Sequence, residues 1–223
     1  MIWLAARGQA SGSGLCGRQK NRSKSLVSPG LALFDFDGTI TSKDSLPDFI
    51  QHAVGLPAWW LGLLKISPML AAYRLGMIPN HIAKEKLISA FFKGWDTKSF
   101  HAVADQYSGT KIDRIVRPEA MKKIRWHQAR GDQVVVVSAS MESWLRKWCE
   151  RNKLDLIATR LEIQDGQLTG RFSTKNCYGR EKVTRIKGKY NLSEYSDIYA
   201  YGDSRGDKEM LSIATIKFYK RID

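Results

Sequence analysis

Three short apolar runs each give way at once to a polar cluster, and this pattern limits the fold of the 223-residue chain more than any other feature. Leu31–Phe34 leads into Asp35-Phe36-Asp37-Gly38-Thr39, Val134–Val137 into Ser138-Ala139-Ser140, and Asp197–Tyr201 into Gly202-Asp203. Short, unbroken runs of this kind suit strands buried on both faces of a parallel sheet. Helical stretches separate them: Pro118–Arg130 opens on Pro-Glu and stops at Gly131, and Glu142–Asn152 follows the valine run. Leu161–Phe172 alternates about Asp165-Gly166, which predicts a β-hairpin. Strands alternating with helices predict an α/β fold, a doubly wound and mainly parallel sheet. Residues 44–116 break the rhythm, being long, helical in composition and without a strand signal, so they predict a helical insert after the first strand.

The polar clusters hold the chemistry. Asp35 and Asp37, at i and i+2 after a strand, face the crevice where α/β sheets bind ligands. One carboxylate there suits a nucleophile and the other a proton carrier. Gly38 allows a tight turn that leaves amide hydrogens for an anion. Ser138, closing a core strand just before a helix near Glu142, suits a phosphate oxygen. Lys182, within Gly179-Arg180-Glu181-Lys182-Val183, reads by itself as one lysine on an exposed helix face. Asp203 and Asp207, in Gly202-Asp203-Ser204-Arg205-Gly206-Asp207, suit a hard cation with oxygen ligands.

Composition narrows the partners. Lys and Arg number 36 against 22 Asp and Glu, a net charge of +14 that favours an anionic partner. Five of the excess charges fall in residues 1–30, which carry no acid and many Gly and Ser, and which read as a disordered basic tail or an expression remnant. The 43% hydrophobic content suits a globular core and excludes a disordered or collagen-like chain. Cys16, Cys149 and Cys177 are odd in number and far apart, which argues against a disulfide framework or zinc site and for a reducing, cytoplasmic compartment. His52, His81, His101 and His127 lack ligand spacing and receive no role.

The order of the clusters resembles the haloacid dehalogenase superfamily of phosphohydrolases over residues 31–223, within it the phosphoserine phosphatase-type subclass, and most nearly its phosphatidylglycerophosphatase C-like members. The resemblance implies a Rossmann-like core of residues 31–43 and 117–223, with 44–116 as a helical cap. It implies a Mg2+-dependent phosphomonoesterase in which Asp35 attacks phosphorus and Asp37 serves the leaving group and then water. Ser138 and the Ala139 amide would hold phosphoryl oxygens with Lys182 neutralising charge, and Gly38, Thr39 and Asp44 would complete the substrate site. Mg2+ would take Asp35, the Asp37 carbonyl and Asp203, with Asp207 and Ser204 in support. Two departures argue against an amino-acid substrate: Gly206 stands where an Asn is usual, and residues 84–95 offer Lys84, Lys86 and Lys93 but no arginine.

Val54–Tyr73 is a long, mostly apolar stretch with Lys65 as its only charge. Because Asp35 precedes it and Ser138, Lys182 and Asp203 follow it, a single crossing of a bilayer would divide the site, and two crossings need roughly 40 apolar residues. Pro57 and Pro68 are expected to divide it into short helices. Two readings stay open: Trp59 and Trp60 pack a cap core, or they anchor a helix at an anionic membrane, peripheral on its cytoplasmic face. The substrate is accordingly a phosphate ester, either lipid or membrane-proximal, or a soluble metabolite such as phosphoserine. A membrane- or nucleic-acid-binding module without activity is the non-enzyme alternative, and the basic-aromatic interleaving expected of a nucleic-acid platform is weak.

Overall fold

The computed structural model describes residues 28–222, so the reading of residues 1–27 and of Cys16 lies outside the described residues. Leu31–Phe34 (β1) is wholly buried and pairs in parallel with Gln133–Met141 (β2) on one side and Ile198–Gly202 (β6) on the other. Asp155–Thr159 (β3) and Ile216–Tyr219 (β7) complete a parallel sheet in the order β3-β2-β1-β6-β7. Side chains alternate between its faces, as the pleat requires. Phe34, Val136 and Tyr201 join one core with Trp144 and Trp148, whereas Leu33, Val135 and Ala200 join a second with Ile186 and Met210. Pro118–Arg130 (α5) and Glu142–Arg151 (α6) cover the first face, and Arg180–Lys189 (α7) and Lys208–Ser212 (α8) the second. The fold is the expected doubly wound α/β one. Pro29 and Gly30 already bond to the body, at Ser196 and Asp132, so the folded region extends past the edge that the sequence sets at Leu31.

Between β1 and β2 lie Ser45–Arg74 (α1), Asn80–Phe92 (α2), Thr97–Thr110 (α3) and the single turn Ile112–Ile115 (α4). Phe49 of α1 stacks on Trp144 at 4.4 Å and meets Phe92, Phe100 and Tyr107, so the insert is fastened to α6 through aromatic contacts. The hairpin Leu161–Gln164 (β4) and Gln167–Phe172 (β5) turns at Asp165-Gly166 as expected and lies along α2, where Phe172 N–H donates to Glu85 at 2.8 Å.

Helix α1 departs from expectation. Neither proline divides it. The bend falls at Gly55, with φ 77° and ψ 165°, a conformation that is essentially glycine's alone. Pro57 then stands in the first turn of the second half, where its missing N–H has no partner to lose, and Pro68 is carried inside the helix. The first half buries Ser45, Leu46, Phe49 and Ile50. The second half is another matter: α1 is long and apolar enough to cross a membrane, yet none of its most apolar stretch is buried.

Candidate active site

The parallel register sets the site. Phe34 stands opposite Val136 and Tyr201, so the residues that follow β1 and β6 emerge side by side at the carboxyl edge of the sheet. Asp35 is buried, its N–H bonded to Tyr201 O at 2.9 Å. Lys182, from the first turn of α7, is also buried, and its ammonium donates to Asp35 Oδ1 at 2.5 Å, Asp207 Oδ1 at 2.6 Å and Val137 O at 2.7 Å. Burial works against the Lys182 charge, but the two carboxylates outweigh it and hold the ammonium above its ordinary range. For Asp35 burial prevails over the pull of Lys182, and its carboxyl is pushed up to about 7. Burial also acts on Asp207, but Lys182 and the Ser204 hydroxyl and amide hold it below the usual carboxylate range.

Asp37 is held from two directions. Its Oδ1 accepts the Ser45 N–H at 2.7 Å, and its Oδ2 accepts the Ser140 hydroxyl. Behind these, Trp144 Nε1 donates to Ser45 Oγ at 3.2 Å, and Ser45 Oγ donates to Ser140 Oγ at 3.0 Å, so a series of donors points at one carboxylate. The sequence names Ser140 only as part of a cluster and does not single out Ser45.

Asp35, Asp203 and Asp207 each offer a carboxylate oxygen within 4.8 Å of the others. The Thr39 hydroxyl occupies Asp203 Oδ1 at 3.1 Å, and burial raises the Asp203 carboxyl above its ordinary value. Gly38, at φ 84°, lies so close beneath Asp203 that a Cβ would stand 2.4 Å from Oδ2. The free carboxylate oxygens thus crowd a small, all-oxygen space beside a bare backbone, which fits a hard divalent cation such as Mg2+. Both Asp207 oxygens are already engaged, Oδ1 by Lys182 and Oδ2 by Ser204, so this residue suits a supporting place.

A cleft of about 320 Å3 opens over these groups. Asp35, Asp37, Asp44, Ala139, Lys182, Asp203, Ser204 and Asp207, all singled out by the sequence, border it. Three expected residues do not. Ser138 is buried and its hydroxyl accepts the Ser140 N–H at 3.0 Å, while Gly38 and Thr39 face a neighbouring groove with Arg117, Lys220 and Arg221. The Gly38 N–H, expected to be free for an anion, donates to Thr41 Oγ1 at 3.3 Å.

The far wall of the cleft comes from the insert: Leu46, Pro47, Leu70 and Tyr73 of α1, with Ala83 and Leu87 of α2. One cation reaches in with them. Lys84 approaches Ala139 O at 3.4 Å; burial lowers its affinity for a proton, against the attraction of Asp37 and Asp44. Burial, with Asp37 adding to it, raises the Asp44 carboxyl. Tyr178, also unforeseen, borders the cleft and covers Gly206, where a Cβ would fall 2.3 Å from its ring. With the ring in that position, Gly206 has no room for a side chain.

A family model described as haloacid dehalogenase-like hydrolase matches residues 32–212. The chain belongs to that family. It is an enzyme, a hydrolase with phosphatases among its relatives. The protein CicA of Caulobacter vibrioides is 34% identical over 86% of each chain. A probable phosphatase of Mycobacterium tuberculosis is 28% identical over 81% of this chain and 64% of its own length. Among solved structures, a Bordetella pertussis protein of unknown function superposes with a TM-score of 0.75 at 25% identity, covering 86% of this chain and 89% of its own. A phospho-aspartyl intermediate analogue of phosphoserine phosphatase does so with 0.56 at 25% identity, over 85% of both chains.

Proposed function

We propose that this hydrolase is a Mg2+-dependent phosphomonoesterase acting through an aspartyl-phosphate on Asp35, with a lipid or membrane-proximal phosphate as substrate. In this reading the helical insert is a cap over the active site, and the chain is akin to phosphatidylglycerophosphatase C-like members. The observation that carries it is the composition of one cleft. Asp35, Asp37, Lys182 and Asp203 lie at its floor, and six apolar or aromatic insert residues form its far wall.

Each residue has a step. An Asp35 carboxylate oxygen bonds to phosphorus as the ester oxygen leaves with a proton from Asp37. Asp37 then takes a proton from water, whose oxygen attacks phosphorus and frees Asp35 and inorganic phosphate. Lys182, bonded to Asp35, would offset negative charge there, and the Ala139 amide would donate to a phosphoryl oxygen. Mg2+, held by Asp35 and Asp203, would supply further neutralisation of phosphoryl oxygens. The two serine partners keep Asp37 aimed throughout.

A second reading, a soluble phosphate ester, draws on the likeness to phosphoserine phosphatase and on Lys84, a cation suited to a carboxylate on the leaving group. Acid quench during turnover of p-nitrophenyl phosphate is expected to trap a hydroxylamine-labile phosphoryl group on Asp35. Asp35→Asn is expected to lose both the adduct and several orders of magnitude in turnover. Near wild-type release from that variant would end the covalent reading. Comparing a lysophosphatidate with phosphoserine then decides between the two substrates.

A further inference from the structure

We infer that the outer face of the second half of α1 rests on an anionic bilayer surface, with the mouth of the catalytic cleft turned toward the lipid headgroups. The two faces of this half-helix differ in what they meet. On the inner face Trp59 packs against Phe91 of α2 with ring centroids 5.4 Å apart, and Leu70 and Tyr73 form part of the cleft wall. The outer face carries Trp60, 64% exposed, Leu61, Leu64 at 72%, and, just past the helix end, Leu75 at 77% and Met77. Trp60, Leu64, Pro68, Ala71 and Leu75 follow one another at helical spacing, all exposed, and make a stripe along a helix of about 28 Å. A helix apolar on both faces and covered on only one has a partner to come.

Charge selects the partner. Residues 54–84 contain Lys65, Arg74 and Lys84 and not one acid. Lys65 and Arg74 are exposed beside the stripe, and an exposed tryptophan next to basic residues is the composition of a helix lying in the headgroup region. A second copy of the chain laid on the same face would set these cations against their own copies with no acid among those residues to offset them. A spanning arrangement is excluded by the bend at Gly55. Leu46 and Pro47 near one end of α1 and Leu70 and Tyr73 near the other border the same cleft, so both ends lie on one side of any membrane.

The orientation of the cleft rests on the proposed lipid phosphate substrate; the docking does not, and it is measured without turnover. Co-sedimentation with phosphatidylglycerol-phosphatidylcholine vesicles is expected for the wild type and equally for Asp35→Asn, weakening with added salt and with pure phosphatidylcholine. Trp60→Ser/Leu64→Ser is expected to bind at least tenfold more weakly at an unchanged melting temperature. Ile163→Ser, on the exposed hairpin, is expected to bind as the wild type does. Lys65→Glu/Arg74→Glu, which removes no packed side chain, is expected to bind more weakly and with less salt dependence, giving a readout even if the first pair unfolds. Wild type that ignores the vesicles would overturn docking, as would a dimer broken by Trp60→Ser/Leu64→Ser. Docking with no turnover of any lipid phosphate would leave this surface standing and reject the substrate.

Discussion

Asp37 depends on a hydroxyl from a distant part of the chain. Its acceptor oxygens are filled by the Ser45 amide and the Ser140 hydroxyl, and the latter is itself a link in the series from Trp144. Hydrogen bonds to charged groups contribute about 1.5–3 kcal/mol. Ser140→Ala is therefore expected to lower kcat by about ten- to hundredfold while KM changes little, because the substrate's phosphate is gripped elsewhere. Steady-state kinetics on p-nitrophenyl phosphate checks this, and an unchanged kcat would show that Ser45 alone positions the carboxylate. The sequence does not reveal this pairing. Serines are ordinary before a helix, and Ser45 and Ser140 are 95 positions apart. Lys84 was equally hidden as one of three lysines in residues 84–95, until the fold turned it toward Asp37 and Asp44. Asp35, Asp37 and Asp203 were legible because they cluster just past the ends of two apolar runs, and parallel register then brings those ends together.

At the scale of elements, what was legible is what local chemistry punctuates. Pro118 and Gly131 bound α5, and Asp165-Gly166 turns the hairpin, where the sequence places them. The path of α1 was not legible, because prolines attract attention as helix breakers while the bend belongs to Gly55. A Cβ at Gly55 would meet nothing within 4 Å, so replacing it tests backbone conformation alone. Gly55→Ala is expected to destabilise the fold by about 1–3 kcal/mol, the range for a residue held in a disfavoured region. It is also expected to raise KM, since the angle at this residue sets where Leu70 and Tyr73 stand over the cleft. Gly109→Ala within α3 meets nothing within 4 Å either and lacks the unusual backbone, so it is expected to stabilise by about 0.5–1 kcal/mol. Urea unfolding of both variants checks the contrast, and destabilisation of the same size at both sites would remove the case for a bend fixed by backbone geometry.

Across the whole molecule, one buried network joins the helices of the first face to the sheet, and it carries a pH signature. His127 of α5 is bonded through Nδ1 to Asp132 at 2.7 Å and through Nε2 to the Tyr201 hydroxyl at 2.9 Å. Asp132 also receives the Gly30 N–H just before β1, and Tyr201 stacks between Phe34 and Phe218. Burial lowers the His127 pKa below its ordinary 6.5, with Asp132 pulling the other way. In the unfolded chain the imidazole takes up a proton near 6.5, whereas the folded protein resists protonation until a lower pH. Its contribution is therefore fully present above about 6.5 and is lost as pH falls through the interval between the two values. Asp35 acts in the opposite sense, because its raised pKa lets the folded state hold a proton between 3.8 and about 7. The wild-type curve mixes both, so the His127 part is read as a difference. The gap in unfolding free energy between wild type and His127→Gln is expected to narrow steadily from about pH 7.5 to about pH 5 in metal-free buffer, since every other group is common to both proteins. A constant gap would mean that His127 titrates alike in both states, and a widening gap that the Asp132 carboxylate, not burial, governs this histidine.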